Sequence, residues 1–314
     1  MVDKSSFSPS NTQPLFNDEV KKLIIEINTE VKKIIDLFRI ILKYKMVLRG
    51  RGIEFADIRK YLPTDDASLI DWKVSARMST SGKLDRLFVK VYEEERDLDV
   101  ILLIDASATM DFGTQERLKR EYVSLLAGTL STASIEAGDK VGMVMFNDTI
   151  KYIPPERSDV QTIRILAELV KKENWKGGKN LAEAINFALK TTTNRSFLFI
   201  ISDFISIGDD WIEPLRAASV KFDGVLGIMI RDVRDSYLPK GVGYFRLKDP
   251  ITGKVTEANL DKIKSKFEKL AKEQEEYVEK KFHESGAGFV KYYTNENFVK
   301  TLIKWFDLWG TGRA

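Results

Sequence analysis

Leu98-Asp-Val-Ile-Leu-Leu-Ile-Asp-Ala-Ser-Ala-Thr-Met110 is a short apolar run that ends in alternating oxygen-bearing side chains. Residues 100–104 are too few to cross a membrane, and their unbroken, β-rich hydrophobicity is that of a strand buried on both faces. Such a strand presents Asp105, Ser107 and Thr109 at every second position as the chain leaves the sheet. In α/β folds the carboxyl ends of strands are where ligands bind. One carboxylate and two hydroxyls form an all-oxygen set, the donor type that a hard cation such as Mg2+ prefers. The same side chains also suit a capped turn at a helix start, so the pentapeptide by itself leaves both readings open.

Outward from this strand, buried strands alternate with helical patterns. Residues 141–146, 197–202 and 225–230 are continuous apolar runs. Helical spacing appears at Leu118, Tyr122, Leu125 and Leu126, and again at Leu181, Ile185, Ala188 and Leu189. This alternation predicts an α/β fold with a doubly wound, mostly parallel, Rossmann-like sheet. Residues 149–154 read as an edge strand returning through the Asn147-Asp148 turn. A hairpin insertion is expected over 244–257, around Asp-Pro-Ile-Thr-Gly. A charged helix around Leu260, Ile263, Phe267 and Leu270 follows, then a strand over 289–293. A last helix through Phe298, Leu302, Trp305 and Phe306 completes a domain spanning 98–314.

Upstream the texture differs. Residues 1–14 are polar and rich in Ser, Pro and Asn, without the apolar core of a signal peptide, and a disordered tail is expected over 1–17. Val20, Ile24, Ile27, Val31, Ile34, Phe38 and Ile41 recur in steps of four and three, predicting an amphipathic helix over 18–48. That helix either packs on its own domain or serves a partner or a membrane surface. Residues 49–97 form an accessory region with single aromatics among charges and a strand pattern near its end. In it Asp57, Arg59, Asp65, Asp66, Asp71 and Arg77 suit either a buried ion-pair network, in which every member must be paired, or a docking surface.

Composition narrows the function. The chain has 314 residues, 43% hydrophobic and 31% charged, in the range of globular domains with ample core. Its 50 basic and 47 acidic side chains leave a net charge of +3, which gives no nucleic-acid footprint. The absence of cysteine excludes disulfides, thiolate metal sites and a cysteine nucleophile. A single histidine, His283, argues against a His-rich zinc site or a Ser-His-Asp triad, and its charged helical setting makes it a surface residue. No run of 18 apolar residues occurs, so no membrane span is expected and the cytoplasm is the expected location.

The segment Asp105-Ala-Ser107-Ala-Thr109 resembles the D-x-S-x-S metal-ion-dependent adhesion motif of von Willebrand factor A domains, with Thr109 in the last place. Two further segments extend that resemblance. Ile-Ile-Ser-Asp203-Phe ends a strand in the aspartate that, in the family, completes the metal site through a bound water. Gly177-Gly178-Lys179-Asn180-Leu181 is similar to the family's G-G-T-x-L loop, whose threonine contributes to the metal. The resemblance therefore implies a Mg2+ site made of Asp105, Ser107, Thr109 and Asp203, filled by a partner's carboxylate. Lys179 in place of the threonine is a departure. A unit positive charge ~4 Å from a divalent ion is repelled by roughly 8 kcal/mol at an effective dielectric of about 20. Either the long lysine stem swings to water, or the ammonium sits between Asp105 and Asp203 and replaces the ion.

Gly52-Ile-Glu-Phe-Ala-Asp-Ile-Arg-Lys-Tyr-Leu-Pro-Thr-Asp-Asp66, followed by Ile70-Asp-Trp-Lys-Val-Ser-Ala-Arg77, resembles the hallmark of the DUF58 family, with Thr64 where the family has glycine. The resemblance runs from about residue 50 to the C-terminus. It implies a von Willebrand A-like domain in a non-catalytic adaptor. The implied partner is a MoxR-type AAA+ ATPase, a client protein, or both, in chaperone-like maturation or assembly. Many family members begin with two membrane helices, and membrane anchoring is not carried over to this chain. The competing class is a haloacid-dehalogenase-like, Mg2+-dependent phosphatase built on Asp105, Thr109, Lys179 and Asp203. That template needs a second acid two residues after its nucleophile, and position 107 is serine. With no Walker loop, the chain is not itself an ATPase.

Overall fold

The computed structural model describes residues 98–301 except 159, 193–194, 242 and 297–299. It also describes 57–62, 67, 70–78 and 87–91, and near the N-terminus Asp18, Lys21, Lys22, Ile24 and Ile25. Those last five positions are helical; the rest of the helix expected over 18–48, the tail over 1–17 and the last helix through Phe298, Leu302, Trp305 and Phe306 lie outside the described residues. The chain divides into two compact units, one formed by residues 40–97 and one that includes everything from Leu98 on.

In the smaller unit, β1 (Asp57–Lys60) pairs antiparallel with β2 (Phe88–Val91), and α1 (Trp72–Met78) lies between them in sequence. The Asp71 carboxylate caps α1 by accepting from the backbone N–H groups of Lys73 at 3.0 Å and Val74 at 3.1 Å, the usual role of aspartate at a helix start. The buried Ser75 hydroxyl accepts from Phe88 N–H at 2.9 Å, tying helix to strand. Arg59 and Arg77 are exposed, so neither belongs to a buried ionic network. The side chains of Asp57, Asp65 and Asp66 lie outside the described residues.

The larger unit is built on a six-stranded sheet. The central strand β3 (Asp99–Asp105) is buried along its whole length and runs parallel to β4 (Lys140–Phe146) on one side and β6 (Ser196–Ser202) on the other. β7 (Gly224–Arg231) and β10 (Gly288–Tyr293) continue the parallel set. Only the edge strand β5 (Ile150–Glu156) is antiparallel. Its Pro154 and Pro155 suit an edge, where a missing N–H costs no ladder bond.

Helices cover both faces, as a parallel sheet requires. α2 (Lys119–Glu136) and α3 (Gln161–Leu169) follow β3 and β5, and they pack on each other. The opposite face carries α4 (Leu181–Thr191), α5 (Ile212–Lys221) and the long α7 (Leu260–Glu284), with the short α6 (Val233–Ser236) following β7. Most of α7 is a solvated charged surface, but Leu260, Glu275, Val278 and Phe282 are buried. Phe282 enters the core against Phe204, Trp211 and Phe289, with ring centroids 5.4, 5.4 and 5.0 Å away. Gly227 makes room for it, since a Cβ there would lie 2.4 Å from the Phe282 ring. The expected insertion is a two-stranded ribbon, β8 (Tyr244–Lys248) and β9 (Val255–Asn259), with every residue of β8 exposed. Among the described residues, no helix is long and apolar enough to cross a membrane.

Candidate functional site

β3 and β6 are adjacent and in parallel register, with Ile104 beside Ile201. Asp105 and Asp203 therefore leave the sheet side by side at its carboxyl edge. The chain after β3 is tied down by backbone bonds. Ala106 N–H donates to Phe146 O at 2.8 Å, Ala108 N–H to Gly177 O at 3.1 Å, and Lys176 N–H to Ala106 O at 3.0 Å. The last two bonds fasten the 175–180 loop over the Asp105–Thr109 turn. Gly177 has φ +73°, and a Cβ on it would stand 1.9 Å from an Asp148 carboxylate oxygen. The Asp148 carboxylate in turn accepts from Gly178 N–H at 3.0 Å. The loop then enters α4 through Asn180, whose side chain accepts from Glu183 N–H at 3.1 Å. Lys179, between these anchors, points into the sheet edge.

Its ammonium lies 2.9 Å from Asp105 Oδ2, 2.6 Å from Asp203 Oδ1 and 3.1 Å from Thr109 Oγ1. Ser107 is one bond further away, with its hydroxyl 3.0 Å from that of Thr109 and its N–H donating to Asp105 Oδ1 at 2.8 Å. Three of the four expected metal ligands thus contact one lysine nitrogen, and the fourth supports them. The Lys179 side chain is 2% exposed and both carboxylates are fully buried. Burial alone would lower the Lys179 pKa, but the Asp105 and Asp203 carboxylates overcome that and raise it. Burial likewise pushes the Asp203 carboxyl up, and the ammonium groups of Lys119 and Lys179 reverse it to far below the usual range.

Lys119 is the residue that sequence reasoning missed. It is fully buried at the start of α2, donating to Asp203 Oδ2 at 2.8 Å and to Asp235 Oδ2 at 2.7 Å, with its ammonium 5.7 Å from the Phe112 ring centroid. A cation in the first turn of a helix opposes the helix dipole, and that misplacement was the available signal. Asp235 also accepts from Asp232 N–H at 3.0 Å, while Asp232 holds Thr114 through its backbone and hydroxyl, both at 2.7 Å. Burial raises the Asp235 carboxyl against the pull of Lys119, with the Asp203 charge adding to the rise. Ser202 also escaped notice; its hydroxyl donates to Asp105 Oδ2 at 2.6 Å and accepts from Phe204 N–H at 2.9 Å.

After Asp203 the chain turns sharply. Phe204 and Ser206 have φ of 52° and 55°, in the left-handed region that side-chain-bearing residues seldom adopt. The turn is held by Ile205 N–H donating to Asp203 Oδ1 at 2.9 Å and by the Gln274 amide donating to Phe204 O at 2.6 Å. Backbone outliers of this kind cluster at functional sites. A cleft of about 320 Å3 opens beside Lys179, lined by Leu181, Ser206, Ile207, Gly208, Asp209 and Asp210.

As the side chains stand, the oxygen set does not fit an added divalent ion. The Asp105, Asp203 and Thr109 oxygens that would face the ion converge on an ammonium, and a +2 charge about 4 Å from it would be repelled by roughly 8 kcal/mol at an effective dielectric of ~20. Among the described residues, no three His, Cys, Asp or Glu groups gather as a metal cluster.

A mostly parallel six-stranded sheet carrying Asp105, Ser107, Thr109 and Asp203 at its carboxyl edge is a von Willebrand factor A-like domain. Residues 57–277 match the model described as "Protein of unknown function DUF58", and the chain belongs to that family. The uncharacterised proteins Mb1516 of Mycobacterium bovis and Rv1480 of Mycobacterium tuberculosis are each 28% identical to it over 263 residues, covering 82% of this chain and 80% of theirs. Among solved structures it is similar to the conserved hypothetical protein BatB from Bacteroides thetaiotaomicron, at 18% identity and TM-score 0.47 over 68% of this chain and 99% of that one. It is also similar to the SpRpn10 VWA domain, at 12% identity and TM-score 0.38 over 66% and 94%.

Proposed function

We propose that this chain is a non-catalytic interaction protein of the cytoplasm. Its von Willebrand A-like domain serves as an adaptor between a MoxR-type AAA+ ATPase and client proteins in chaperone-like maturation or assembly. The ATPase partnership comes from the DUF58 resemblance. What supports the non-catalytic half is one observation: both buried carboxylates at the sheet edge are already engaged. Asp105 meets Lys179, the Ser202 hydroxyl and the Ser107 N–H, and Asp203 meets two lysines and the Ile205 N–H. A nucleophile or general base needs a free oxygen within reach of substrate, and neither carboxylate offers one. The lone histidine, His283, is exposed in the last turn of α7, which leads into the start of β10 and so lies at the opposite, amino edge of the sheet. A phosphatase would also need an acid where Ser107 stands.

The test is co-purification of the full chain with the MoxR-type ATPase of the same organism, together with turnover assays on phosphate and ester model substrates. A stable complex and no turnover above background are expected. Failure to associate, combined with turnover that disappears in Asp105→Asn, would replace the adaptor reading with an enzymatic one.

A further inference from the structure

The cation position of the von Willebrand A-like site is filled from within the chain. We infer that Lys179 and Lys119 together take the place of the divalent ion, so that this sheet edge is a metal-independent element. A partner would then dock on it without a metal-bridged carboxylate.

Three features carry the inference. An ammonium has three N–H donors, and Lys179 has three acceptors, Asp105 Oδ2, Asp203 Oδ1 and Thr109 Oγ1, within 3.1 Å. Enclosed by these oxygens and 2% exposed, the ammonium is out of reach of a partner's carboxylate, which a metal with an open coordination position would attract. Asp203, the second-layer aspartate of the metal-dependent pattern, has its other oxygen taken by Lys119 at 2.8 Å. Two buried ammonium groups thus bridge three carboxylates, with Lys179 joining Asp105 to Asp203 and Lys119 joining Asp203 to Asp235. Each lysine is also positioned by its own element. Lys119 is fully buried in the first turn of α2, against the helix dipole. Lys179 is held by a loop pinned at Gly177, Gly178 and Asn180. Two long cations from separate elements, converging on one aspartate, form a built constellation.

The inference deepens the interaction reading at the same site, but its test uses the isolated full chain and Mg2+ alone. A failure here leaves the adaptor reading to its own test. Wild type, Lys179→Thr and Asp105→Asn, each dialysed against EDTA, are titrated with MgCl2 by calorimetry and melted with and without Mg2+. The wild type is expected to give no saturable heat and the same melting temperature in both conditions. Lys179→Thr, which restores a hydroxyl and removes the charge, is expected to bind Mg2+ roughly tenfold or more tighter than wild type and to melt higher with the ion present. Saturable Mg2+ binding by the wild type that is lost in Asp105→Asn would overturn the inference. So would a folded Lys179→Thr that ignores Mg2+. Should Lys179→Thr fail to fold, amine acylation of the native wild type read by mass spectrometry replaces it. Lys119 and Lys179 are expected to stay unlabelled while surface lysines react, and labelling of both at surface rates would overturn the inference.

Discussion

Lys119→Met is the most informative perturbation of the fold. Methionine keeps the length and apolar stem of the lysine but removes the ammonium that bridges Asp203 at 2.8 Å and Asp235 at 2.7 Å. Lys119 is fully buried, as is Asp203, and the Asp235 side chain is 11% exposed, so water cannot replace the lost partner. Removing one member of a buried pair typically costs about 3–5 kcal/mol. At roughly 2–4 °C per kcal/mol for a domain of this size, the melting temperature should fall by about 6–20 °C. Urea unfolding followed by fluorescence of the buried Trp175 and Trp211 measures the cost directly. A second arm isolates the electrostatic part. Asp235→Asn removes one of the two carboxylates left behind, so it should cost less in the Lys119→Met background than in the wild type. The expected coupling is about 0.5–3 kcal/mol. A Lys119→Met cost below about 1 kcal/mol, the size of an exposed ion pair, or additive effects of the two substitutions, would refute the buried bridge.

Two further expectations follow from the same edge. The lowered Asp203 carboxyl contributes stability that is complete above its unfolded value of about 3.9 and is lost as pH falls toward its folded value. The raised Lys179 contributes stability that is complete below about 10.4 and is lost as pH rises through its folded value. The stability difference between wild type and Asp203→Asn should therefore shrink below about pH 4; a difference that stays constant down to acid unfolding would contradict the assignment. Gly177→Ala places a methyl group against Asp148 at a backbone angle that disfavours side chains. It should lower stability by at least about 1 kcal/mol and expose Lys179 to amine labelling, whereas an unchanged melting curve would show that the loop does not hold the lysine.

The sheet was legible because its strands are buried on both faces and so read as unbroken apolar runs. β3, β4, β6 and β7 lie within a residue of the expected limits at each end. The hairpin was marked by its Asp-Pro-Ile-Thr-Gly turn, and the edge strand by the Asn147-Asp148 turn before it. Asp105, Thr109, Lys179 and Asp203 were found because strand ends and a glycine loop locate them. Lys119 was not, because a lysine in a helix is ordinarily solvated, and its partners lie 84 and 116 residues away in sequence. Asp235 also belongs to the capping box of α6, an ordinary role for an aspartate that gives no sign of the second one. Pairings of that range depend on which elements the fold brings to one edge, and hydrophobic periodicity does not record them.

The β8–β9 ribbon has a different kind of consequence. All of β8 is solvent-exposed, and so are Val255, Thr256 and Glu257 of β9. Its tip is organised by its own residues, with the Asp249 carboxylate accepting from Ile251 N–H at 2.9 Å and the Thr252 hydroxyl at 2.6 Å. A lone two-stranded ribbon is marginal in water, so it can open without disturbing the six-stranded sheet. Its amides should be among the early ones to exchange with solvent, and its tip among the early sites of protease cutting. The same independence makes residues 250–253 a place where a reporter sequence can be inserted while the sheet, and the charged edge it carries, fold as before.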